Sequence, residues 1–398
     1  MSKRLKNTAV VIGGAGHVGL PLALVLASLG IKTYSYDLDA DKVKKINSGE
    51  MPFMEEGGSE VLKQALFSGM FQATTDPKVI KKAFYIFVVI GTPVDEHLGP
   101  NPNTVVESIR RLSSYFASEH LLILRSTIFP GVTRRIEELL SKDFADVSVC
   151  YCPERILEGK ALSEIYSLPQ IIGARNDEIF KLANEVFQRI GVRSIYVSPE
   201  EAELAKLYTN VWRYIKFGIA NQFWMMANSA GVDYEKIRLA IIDGYPRAAD
   251  LPRAGFAAGP CLFKDTMQLS FFAQQSFALG HSAMMINEGT PGYLVSQLKK
   301  KFDLRSMTVG ILGVAFKGDS DDTRSSLAFK LRKILLFEAK EVLMADPLVL
   351  DDRLLPQSEV IKRSDLLIIG APHSKYRNLD CTKEVVDIWG ITGRGPLI

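Results

Sequence analysis

A glycine pattern near the start of the chain, Gly14-x-Gly16-x-x-Gly19, constrains the fold more than any other feature. It stands between an apolar run, Thr8–Ile12, that predicts a strand and an apolar stretch, Leu20–Leu29, that predicts a helix. In this context the glycines permit a tight turn and let the backbone approach a pyrophosphate at the positive end of the helix. The pattern therefore predicts a dinucleotide-binding unit. The turn residues predicted to contact the dinucleotide are Gly14, Gly16, His17, Val18 and Gly19.

An acidic residue follows at the distance that this interpretation requires. Asp37 ends the next predicted strand, Ile31–Tyr36, about 20 residues after the turn. A carboxylate there accepts hydrogen bonds from a ribose diol and repels a 2′-phosphate, so the expected cofactor is NAD rather than NADP. Lys42 is either a further contact of this site or a solvated residue of the following helix.

Strands and helices alternate through the first 198 residues. Such alternation favours a parallel sheet with helices on both faces, and the predicted fold class is α/β, with a Rossmann-like N-terminal domain. The further predicted strands are Ala83–Ile90, Leu121–Leu124, Val147–Tyr151 and Gln170–Ile172.

The pattern changes after this region. One long helix is predicted from about residue 200 to residue 231, followed by shorter helices to Lys301, and the long helix is a natural dimer surface. A second strand–turn–helix unit then starts at Thr308–Leu312, with later strands at Glu341–Met344 and Leu366–Ile369. We therefore expect three domains: an NAD-binding domain (1–198), a central helical and dimerisation domain (199–301) and a second α/β nucleotide-binding domain (302–398).

Composition argues against several other classes of partner. The 398 residues carry a formal net charge of +3, without the basic excess of a nucleic-acid-binding or membrane-surface protein. No apolar stretch reaches the ~18 residues of a membrane span, and no signal peptide is recognised, so a cytoplasmic location is expected. The four cysteines are too few for a disulfide framework. Cys150-x-Cys152 is too closely spaced for a zinc site, so we expect buried thiols there and no metal.

Two loops that follow predicted strands are candidate ligand contacts. Thr92-Pro93 follows the strand Ala83–Ile90, and Thr127 follows the strand Leu121–Leu124. Ligands of open α/β sheets bind at the carboxyl ends of the strands. Ordinary turn chemistry is the alternative explanation of these residues.

Polar groups with catalytic potential occur at two further places. Lys206 and Asn210 stand four residues apart in the long helix and share one face, where they can hold an oxyanion or an ordered water. The alternative is a solvated helix face. The candidate contacts that follow the predicted strand Val147–Tyr151 are Glu154, Arg155 and Glu158.

A single cysteine, Cys261, follows Gly259-Pro260 and precedes Lys264 and Asp265. A helix start and a nearby ammonium favour the thiolate form of such a residue. A cysteine nucleophile lets an aldehyde be held covalently, so that a second hydride leaves before water enters. A buried structural cysteine is the alternative.

The chain resembles the nucleotide-sugar 6-dehydrogenase family, which includes UDP-glucose dehydrogenase and the UDP-N-acetylhexosamine dehydrogenases. The likeness runs from Val10 to Ile391, and its stretches, in order, are VIGGAGHVGLPLA, STIFPGVT, PERILEGKAL, ELAKLYTNVWRYIKFGIANQF, GPCLFKD and GVAFKGDSDDTRSS. The resemblance implies an NAD-dependent, four-electron oxidation of the C6 alcohol of a UDP-hexose to the uronate. It also implies a thiohemiacetal and a thioester on cysteine, UDP-sugar binding by residues 302–398, and a homodimer or larger assembly.

The resemblance also implies roles for individual residues. The implied catalytic residues are Cys261, Lys206, Asn210, Asp265, Glu158 and Thr127. In these roles the cysteine is the nucleophile, the lysine and asparagine hold the developing oxyanion, the aspartate and lysine organise water, and the remaining two serve proton transfer or hydrolysis. The implied substrate contacts are Glu154, Arg155, Lys206, Asn210, Arg247 from a partner subunit, Phe256 and Lys317. The implied cofactor contacts beyond the glycine turn are Asp37, Lys42, Thr92, Pro93, Thr127, Lys264 and Arg324.

Other activities are weighed against this one. A two-electron β-hydroxyacid dehydrogenase also carries a Lys and an Asn four apart, but lacks the Gly-Pro-Cys loop and the second nucleotide domain. A non-catalytic NAD-binding protein is the other alternative. Many relatives have residues other than Gly259-Pro260 before the cysteine. At the position of Trp389 they often have a polar residue. The sugar therefore stays open among the UDP-glucose, UDP-N-acetylglucosamine, UDP-N-acetylmannosamine and galacto forms.

Overall fold

The computed structural model describes residues 7–92, 99, 101–143, 147–274, 276–393 and 398. By its internal contacts the chain divides into two compact units, Met1–Tyr208 and Thr209–Ile398. Within the described ranges no helix is long and apolar enough to cross a membrane.

The first unit is built on a sheet whose strands are β1 (Thr8–Ile12), β2 (Lys32–Tyr36), β3 (Phe71–Thr74), β4 (Tyr85–Val88), β5 (Leu121–Leu124), β6 (Ser148–Tyr151), β7 (Gln170–Gly173) and β8 (Ser194–Val197). Their order is β3-β2-β1-β4-β5-β6-β7-β8. From β3 to β6 neighbouring strands are parallel, as predicted. The last two strands are parallel to each other but run antiparallel to β6, to which β7 is joined only through the Tyr151–Gly173 pair.

Helices cover both faces of this sheet, because alternate strand residues such as Val10 and Val11 enter two separate apolar cores. The helices are α1 (Gly19–Ser28), α2 (Ala40–Asn47), α3 (Gly58–Phe67), α4 (Asn103–Leu112), α5 (Val132–Asp143), α6 (Ala161–Ile165) and α7 (Asp177–Ile190). Helix α1 is almost wholly apolar and is buried from Gly19 to Ala27. The loops that follow the parallel strands therefore gather at one edge, where ligands of this architecture bind.

The long helix predicted after residue 200 is confirmed as α8 (Pro199–Ser229), and the division between the two units falls inside it. The other helices of the second unit are α9 (Tyr234–Ile242), α10 (Leu262–Phe272), α11 (Ala278–Lys301), α12 (Leu327–Glu338) and α13 (Gln357–Arg363). Its parallel sheet has the order β10 (Glu341–Ala345), β9 (Thr308–Leu312), β11 (Leu366–Ile369), β12 (Glu384–Val386). One apolar core joins Trp224 and Leu294 of the helices to Ile311 and Leu331 of the α/β part.

Candidate active site

The glycine turn after β1 has the steric properties that a pyrophosphate site needs. A Cβ atom on Gly14 would lie 2.3 Å from Ser35 Oγ, and one on Gly19 would lie 2.3 Å from the carbonyl oxygen of Gly13. A Cβ on Gly16 would meet only the Gly13 carbonyl oxygen, at 3.8 Å. The outer two glycines therefore allow the turn and the helix to pack against the strand, whereas Gly16 keeps space open above the backbone.

Asp37 is attached to this turn. The Ala15 N–H donates to Asp37 Oδ2 at 2.9 Å, and the Asp39 N–H donates to Oδ1 at 3.1 Å. The side chain is half-buried, so its remaining lone pairs are available to a ribose. Lys42 lies in the first turn of α2 and forms an exposed ion pair with Asp39.

Two residues of the turn, His17 and Val18, are half-buried. The ring of His17 lies 4.1 Å from the ring of Phe53, measured between centroids. Val18 precedes the first residue of α1 and gives no side-chain cap, so the first N–H groups of that helix have no local side-chain acceptor.

The loops after β4 and β5 are joined by a hydrogen bond. Thr92 Oγ1 donates to the carbonyl oxygen of Thr127 at 2.6 Å, and both threonines are half-buried. Pro93, the other cofactor contact predicted in the first of these loops, lies outside the described residues. The structure thus brings together two loops that the sequence identified separately.

The loop after β6 is organised by a buried ion pair. Glu154 is paired with Arg125, and also accepts hydrogen bonds from the Arg155 and Ile156 N–H groups at 2.8 and 3.1 Å. Burial raises the pKa of Glu154, but Arg125 and the two N–H donors outweigh it and hold the pKa below its ordinary value. The Arg155 guanidinium donates to the Pro169 carbonyl oxygen, and Glu158 is half-buried in the same loop.

Lys206 reaches this loop from α8. Its ammonium donates to the backbone carbonyl oxygen of Glu154, and the side chain is 9% exposed. The Lys206 side chain is thus held by a neutral carbonyl oxygen, and no carboxylate is paired with it among the described hydrogen bonds and ion pairs. Lys206 therefore does not lie on a solvated helix face.

Asn210 follows one turn later on α8 and faces α10. Its amide Nδ2 donates to Oδ2 of Asp265, which is fully buried. Lys264 Nζ lies 3.0 Å from the other carboxylate oxygen, Oδ1, outside hydrogen-bond geometry. The buried carboxylate is thus fixed by an amide on one oxygen and stabilised by an ammonium near the other.

Cys261 occupies the N-cap position of α10, and its side chain is exposed. It forms no disulfide, and its carbonyl oxygen accepts the Asp265 N–H at 2.9 Å. A thiol at a helix N-terminus lies beside backbone N–H groups that favour the thiolate. Exposure argues against the buried structural alternative. The other thiols differ, because Cys150 and Cys152 are completely buried with Sγ atoms 3.8 Å apart, as expected.

The turn before the cysteine packs against the loop after β9. Gly259 has φ +106°, and a Cβ there would lie 2.6 Å from the ring of Phe316. The next residue of that loop is Lys317, whose ammonium lies 5.7 Å from the same ring. The second unit therefore brings Cys261 and Lys317 into neighbouring loops, although they are far apart in sequence.

The other three predicted contacts are an ion-paired arginine, an exposed arginine and a buried phenylalanine. Arg324 is paired with Asp322, with Nη2 to Oδ2 at 2.6 Å. Arg247 is exposed and rests over the ring of Tyr245. Phe256 is 2% exposed and packs edge-on against Trp389, so in this conformation its ring belongs to the core.

Comparisons with known proteins identify the family of the chain. Models of the UDP-glucose/GDP-mannose dehydrogenase family match three consecutive segments, the NAD binding domain at residues 8–191, the central domain at residues 200–289 and the UDP binding domain at residues 310–393. A UDP-N-acetyl-D-mannosamine dehydrogenase from Methanocaldococcus jannaschii is 31% identical over 395 residues, which cover 96% of this chain and 90% of the relative. The chain belongs to the UDP-glucose/GDP-mannose dehydrogenase family.

Solved structures support the same assignment. The UDP-D-ManNAc dehydrogenase of Pyrococcus horikoshii superimposes with a TM-score of 0.88 at 27% identity, covering 96% of this chain and 94% of that one. A UDP-glucose dehydrogenase from Pyrobaculum islandicum gives a TM-score of 0.87 at 27% identity, with 96% and 93% coverage. The predicted family, the α/β fold and NAD as cofactor are confirmed, and the chain is an NAD-dependent nucleotide-sugar dehydrogenase.

Four polar residues of this family member escaped the sequence analysis. Arg125 follows the apolar run of β5 directly, which was a usable signal for a buried charge at a strand end. Glu203 is fully buried on α8 and accepts hydrogen bonds from Gly131 and Thr133. Burial raises the pKa of Glu203, and those hydrogen bonds offset the rise only in part. No sequence pattern distinguishes Glu203 from the exposed Glu201 two positions before it.

The other two are Asp346 and His373 in the second unit. Asp346 ends β10 as Asp37 ends β2, so its position was readable from the sequence. His373 Nε2 lies 3.0 Å from Asp346 Oδ2, and His373 Nδ1 accepts the Asp319 N–H at 3.0 Å. Both side chains are buried, and together they connect the loops that follow β9, β10 and β11.

Within the described residues no group of three or more His, Cys, Asp and Glu side chains is arranged to hold a metal ion. In the second unit an exposed thiol, Cys261, stands four residues before a buried carboxylate, Asp265. A thiol in such a position suits covalent capture of a carbonyl carbon.

Proposed function

We propose that the protein oxidises the C6 alcohol of a UDP-hexose to the carboxylate, with one sugar, two NAD and one water giving one uronate, two NADH and three protons. The observation that carries this proposal is the exposed Cys261 thiol at the start of α10, in a turn that packs on the Lys317 loop. A simple alcohol dehydrogenase has no use for a nucleophile there. Oxidation beyond the aldehyde does, because the thioester keeps the carbon at the acid level until water attacks.

The proposed roles follow from the environment of each group. Cys261 attacks the aldehyde carbon to form a thiohemiacetal, and after the second oxidation the carbon–sulfur bond of the thioester breaks as water adds. Lys206 and Asn210, one turn apart on α8, stabilise the oxygen that becomes anionic. The buried Asp265, held by Asn210, organises the water, and Glu158 and Thr127 take part in proton transfer.

The cofactor-binding residues are proposed on steric grounds. The open space above Gly16 fits a pyrophosphate, and the half-buried Asp37 fits a ribose diol. NAD, when bound, accepts a hydride at each of the two oxidation stages. The further proposed cofactor contacts are His17, Val18, Lys42, Thr92, Pro93, Lys264 and Arg324.

The substrate is proposed to be held by Glu154, Arg155, Phe256, Lys317 and, from a second copy, Arg247. We keep the functional division into residues 1–198 for NAD, 199–301 for helical dimerisation and 302–398 for the UDP-sugar. For Phe256 the proposal concerns the loop around it, since the ring itself is buried against Trp389.

Dimerisation is supported by an apolar stripe on α8. Trp212, Ile219, Phe223 and Met226 recur at helical spacing, and each is at least 40% exposed. A stripe of this kind on a 31-residue helix fits a self-complementary interface. A mass of two chains in light scattering after gel filtration is the expected result, and a single-chain mass contradicts the proposed dimer.

The NADH yield from limiting sugar tests the reaction. UDP-N-acetyl-D-mannosamine is the first substrate to try and UDP-glucose the second, because relatives described above are named for these activities. UDP-N-acetylglucosamine and the galacto forms complete the panel. Two NADH per sugar supports the four-electron reaction. One NADH per sugar favours a two-electron alcohol oxidation, and NADH binding without turnover favours a non-catalytic NAD-binding protein.

The nucleophile is tested by Cys261→Ser with Cys381→Ser as the matched control, since Cys381 lies near the chain end and is half-buried. We expect the first variant to lose uronate formation by at least ~10³-fold while its affinity for NADH stays unchanged. The control should retain full activity. Uronate formed by Cys261→Ser at near-normal rate contradicts the covalent mechanism.

A further inference from the structure

Glu203 joins the loop that carries Thr127 to the helix that carries Lys206. Its carboxylate has no exposed surface and accepts the Gly131 N–H at 2.6 Å, the Thr133 N–H at 2.8 Å and the Thr133 hydroxyl at 2.6 Å. The Gly131 and Thr133 N–H groups lie at the start of α5, where N–H groups have no acceptor within the helix. Helix α5 is therefore capped by a residue 70 positions later in the chain, on α8.

A second set of contacts connects α8 to the loop that carries Thr127. Three residues after Glu203, Lys206 donates to the backbone carbonyl oxygen of Glu154, and the carboxylate of Glu154 is paired with Arg125. Arg125 stands two residues before Thr127, so these contacts also end at the loop that carries Thr127. The contacts of Glu203, Lys206, Glu154 and Arg125 thus form one closed network. All of these contacts lie within the first unit.

The residues of this network are buried and closely packed. Four residues of this network are each 9% exposed or less as whole residues, so water has little access to replace a lost partner: Arg125, Glu154, Glu203 and Lys206. Ala202, one residue before Glu203, packs against Gly173 of β7 so closely that a Cβ on the glycine would lie 2.7 Å from Ala202 Cβ. A shift of the first two turns of α8 would therefore break contacts to the start of α5, to the loop after β6 and to β7.

We propose that Glu203 is a positioning residue, which fixes the loop of Thr127 relative to the ammonium of Lys206. Glu203 contacts neither substrate nor cofactor in this proposal. It acts through the start of α5, and its effect on the reaction depends on the proposed function of Thr127 and Lys206. The buried carboxylate of Glu203 thereby determines the distance between Thr127 and Lys206.

The test compares the same substitution at two neighbouring glutamates. Glu203→Gln keeps the size of the side chain but turns an NH₂ group toward N–H donors. Glu201→Gln is the matched control, because Glu201 caps its own helix through Ser198 at 2.7 Å and is exposed. Hydrogen exchange of residues 127–136 is expected to accelerate at least ~10-fold in Glu203→Gln and to stay unchanged in Glu201→Gln. The affinity for NADH is expected to fall ~3–10-fold in the first variant only, since the cofactor-side loop loosens.

Turnover is measured next with the UDP-sugar that gives the highest NADH yield. We expect kcat of Glu203→Gln to fall ~10–100-fold, because a 1 Å misplacement of reacting groups has about that effect, while KM for the UDP-sugar changes less than about threefold. Thr133→Val removes one hydrogen bond to Glu203 and keeps the shape, so it should show a smaller decrease in kcat with a nearly unchanged Tm. Normal exchange in residues 127–136, or normal kcat with a lowered Tm, overturns the proposal. The exchange and NADH measurements need no sugar, so they decide on Glu203 even if the proposed reaction fails.

Discussion

The molecule contains two strand–turn–helix units built on one plan, and their loops have opposite character. In each unit a glycine with positive φ follows the first strand, Gly13 at +78° and Gly313 at +91°. In each an aspartate ends the second strand, and its Oδ2 accepts an N–H from the loop, Ala15 to Asp37 at 2.9 Å and Val314 to Asp346 at 2.7 Å.

The two loops differ in length and in the burial of their aspartate. Residues 13–18 separate β1 from α1, whereas residues 313–326 separate β9 from α12. Asp37 is half-buried, but the Asp346 side chain has no exposed surface and is paired with His373. The short loop leaves its carboxylate accessible to a ligand, while the long loop uses the carboxylate to hold itself in place. The same strand–turn–helix architecture thus leaves the aspartate accessible when the loop is short, and buries it as a hydrogen-bond partner of the loop when the loop is long.

The largest effect on stability is expected from adding a side chain at a glycine of the short turn that has no space for one. In Gly19→Ala the new Cβ would lie 2.3 Å from the Gly13 carbonyl oxygen and 2.8 Å from Gly14 Cα. We expect a loss of about 3 kcal/mol in the free energy of unfolding, measured with urea. Gly289→Ala, a helical glycine with nothing within 4 Å of its Cβ position, is the control and should lose none. Equal stability of the two variants would break the steric account of the turn.

A smaller loss is expected from opening the long loop. Asp346→Asn removes the charge that holds His373, Val314 and Leu348, and we expect a loss of roughly 1–3 kcal/mol in the free energy of unfolding at neutral pH. Burial raises the pKa of Asp346, but the hydrogen bonds from His373 and the loop outweigh it and lower the pKa below 3.8. The contribution of Asp346 is therefore present above pH 3.8 and is lost as the pH falls through the lowered pKa.

The pH dependence of stability tests whether the charge of Asp346 stabilises the long loop. Between pH 5 and pH 2 the stability of the unmodified protein should fall toward that of Asp346→Asn, at no more than ~1.4 kcal/mol per pH unit from this one proton. Parallel curves for the two proteins over this range would show that the carboxylate charge does not stabilise the long loop.

The next effect concerns binding rather than stability. In Gly16→Ala the added methyl group lies in space that is open in the structure, so the free energy of unfolding should not change. The affinity for NADH should fall at least ~10-fold, which is about 1.4 kcal/mol, because the methyl group occupies the approach to the pyrophosphate. Titration of NADH fluorescence measures this. Unchanged affinity would remove the assignment of the turn to the cofactor.

The smallest effect is expected at the accessible aspartate. Asp37→Asn removes the charge that repels a 2′-phosphate, so the ratio of kcat/KM for NADP to that for NAD should rise about fivefold. Asp346→Asn, measured in parallel, should leave this ratio unchanged because its side chain is buried. A similar rise in both variants would mean that the two carboxylates do not differ in function.

The sequence was most informative where a segment is apolar and central. Strands Thr8–Ile12, Leu121–Leu124, Thr308–Leu312 and Leu366–Ile369 have the predicted bounds, and all are internal strands whose residues are almost wholly buried. The three strands that were not predicted are β3, β8 and β12, and each lies at the edge of its sheet. An edge strand has one neighbour and keeps exposed side chains, so its hydrophobic pattern is weak and pairing with the adjacent strand determines it.

The sequence by itself determined the glycine turn, the aspartate after β2, the long helix and the position of the cysteine before a helix, because each depends on local spacing. Only the tertiary structure decided which polar groups are buried and what they hold. Glu203 differs from Glu201 by two positions in one helix, yet the first is fully buried against α5 and the second is exposed. Helix periodicity turns neighbouring residues to different sides, and the partner on each side comes from a distant part of the chain. The chemistry of a charged group depends on that partner, which no local pattern specifies.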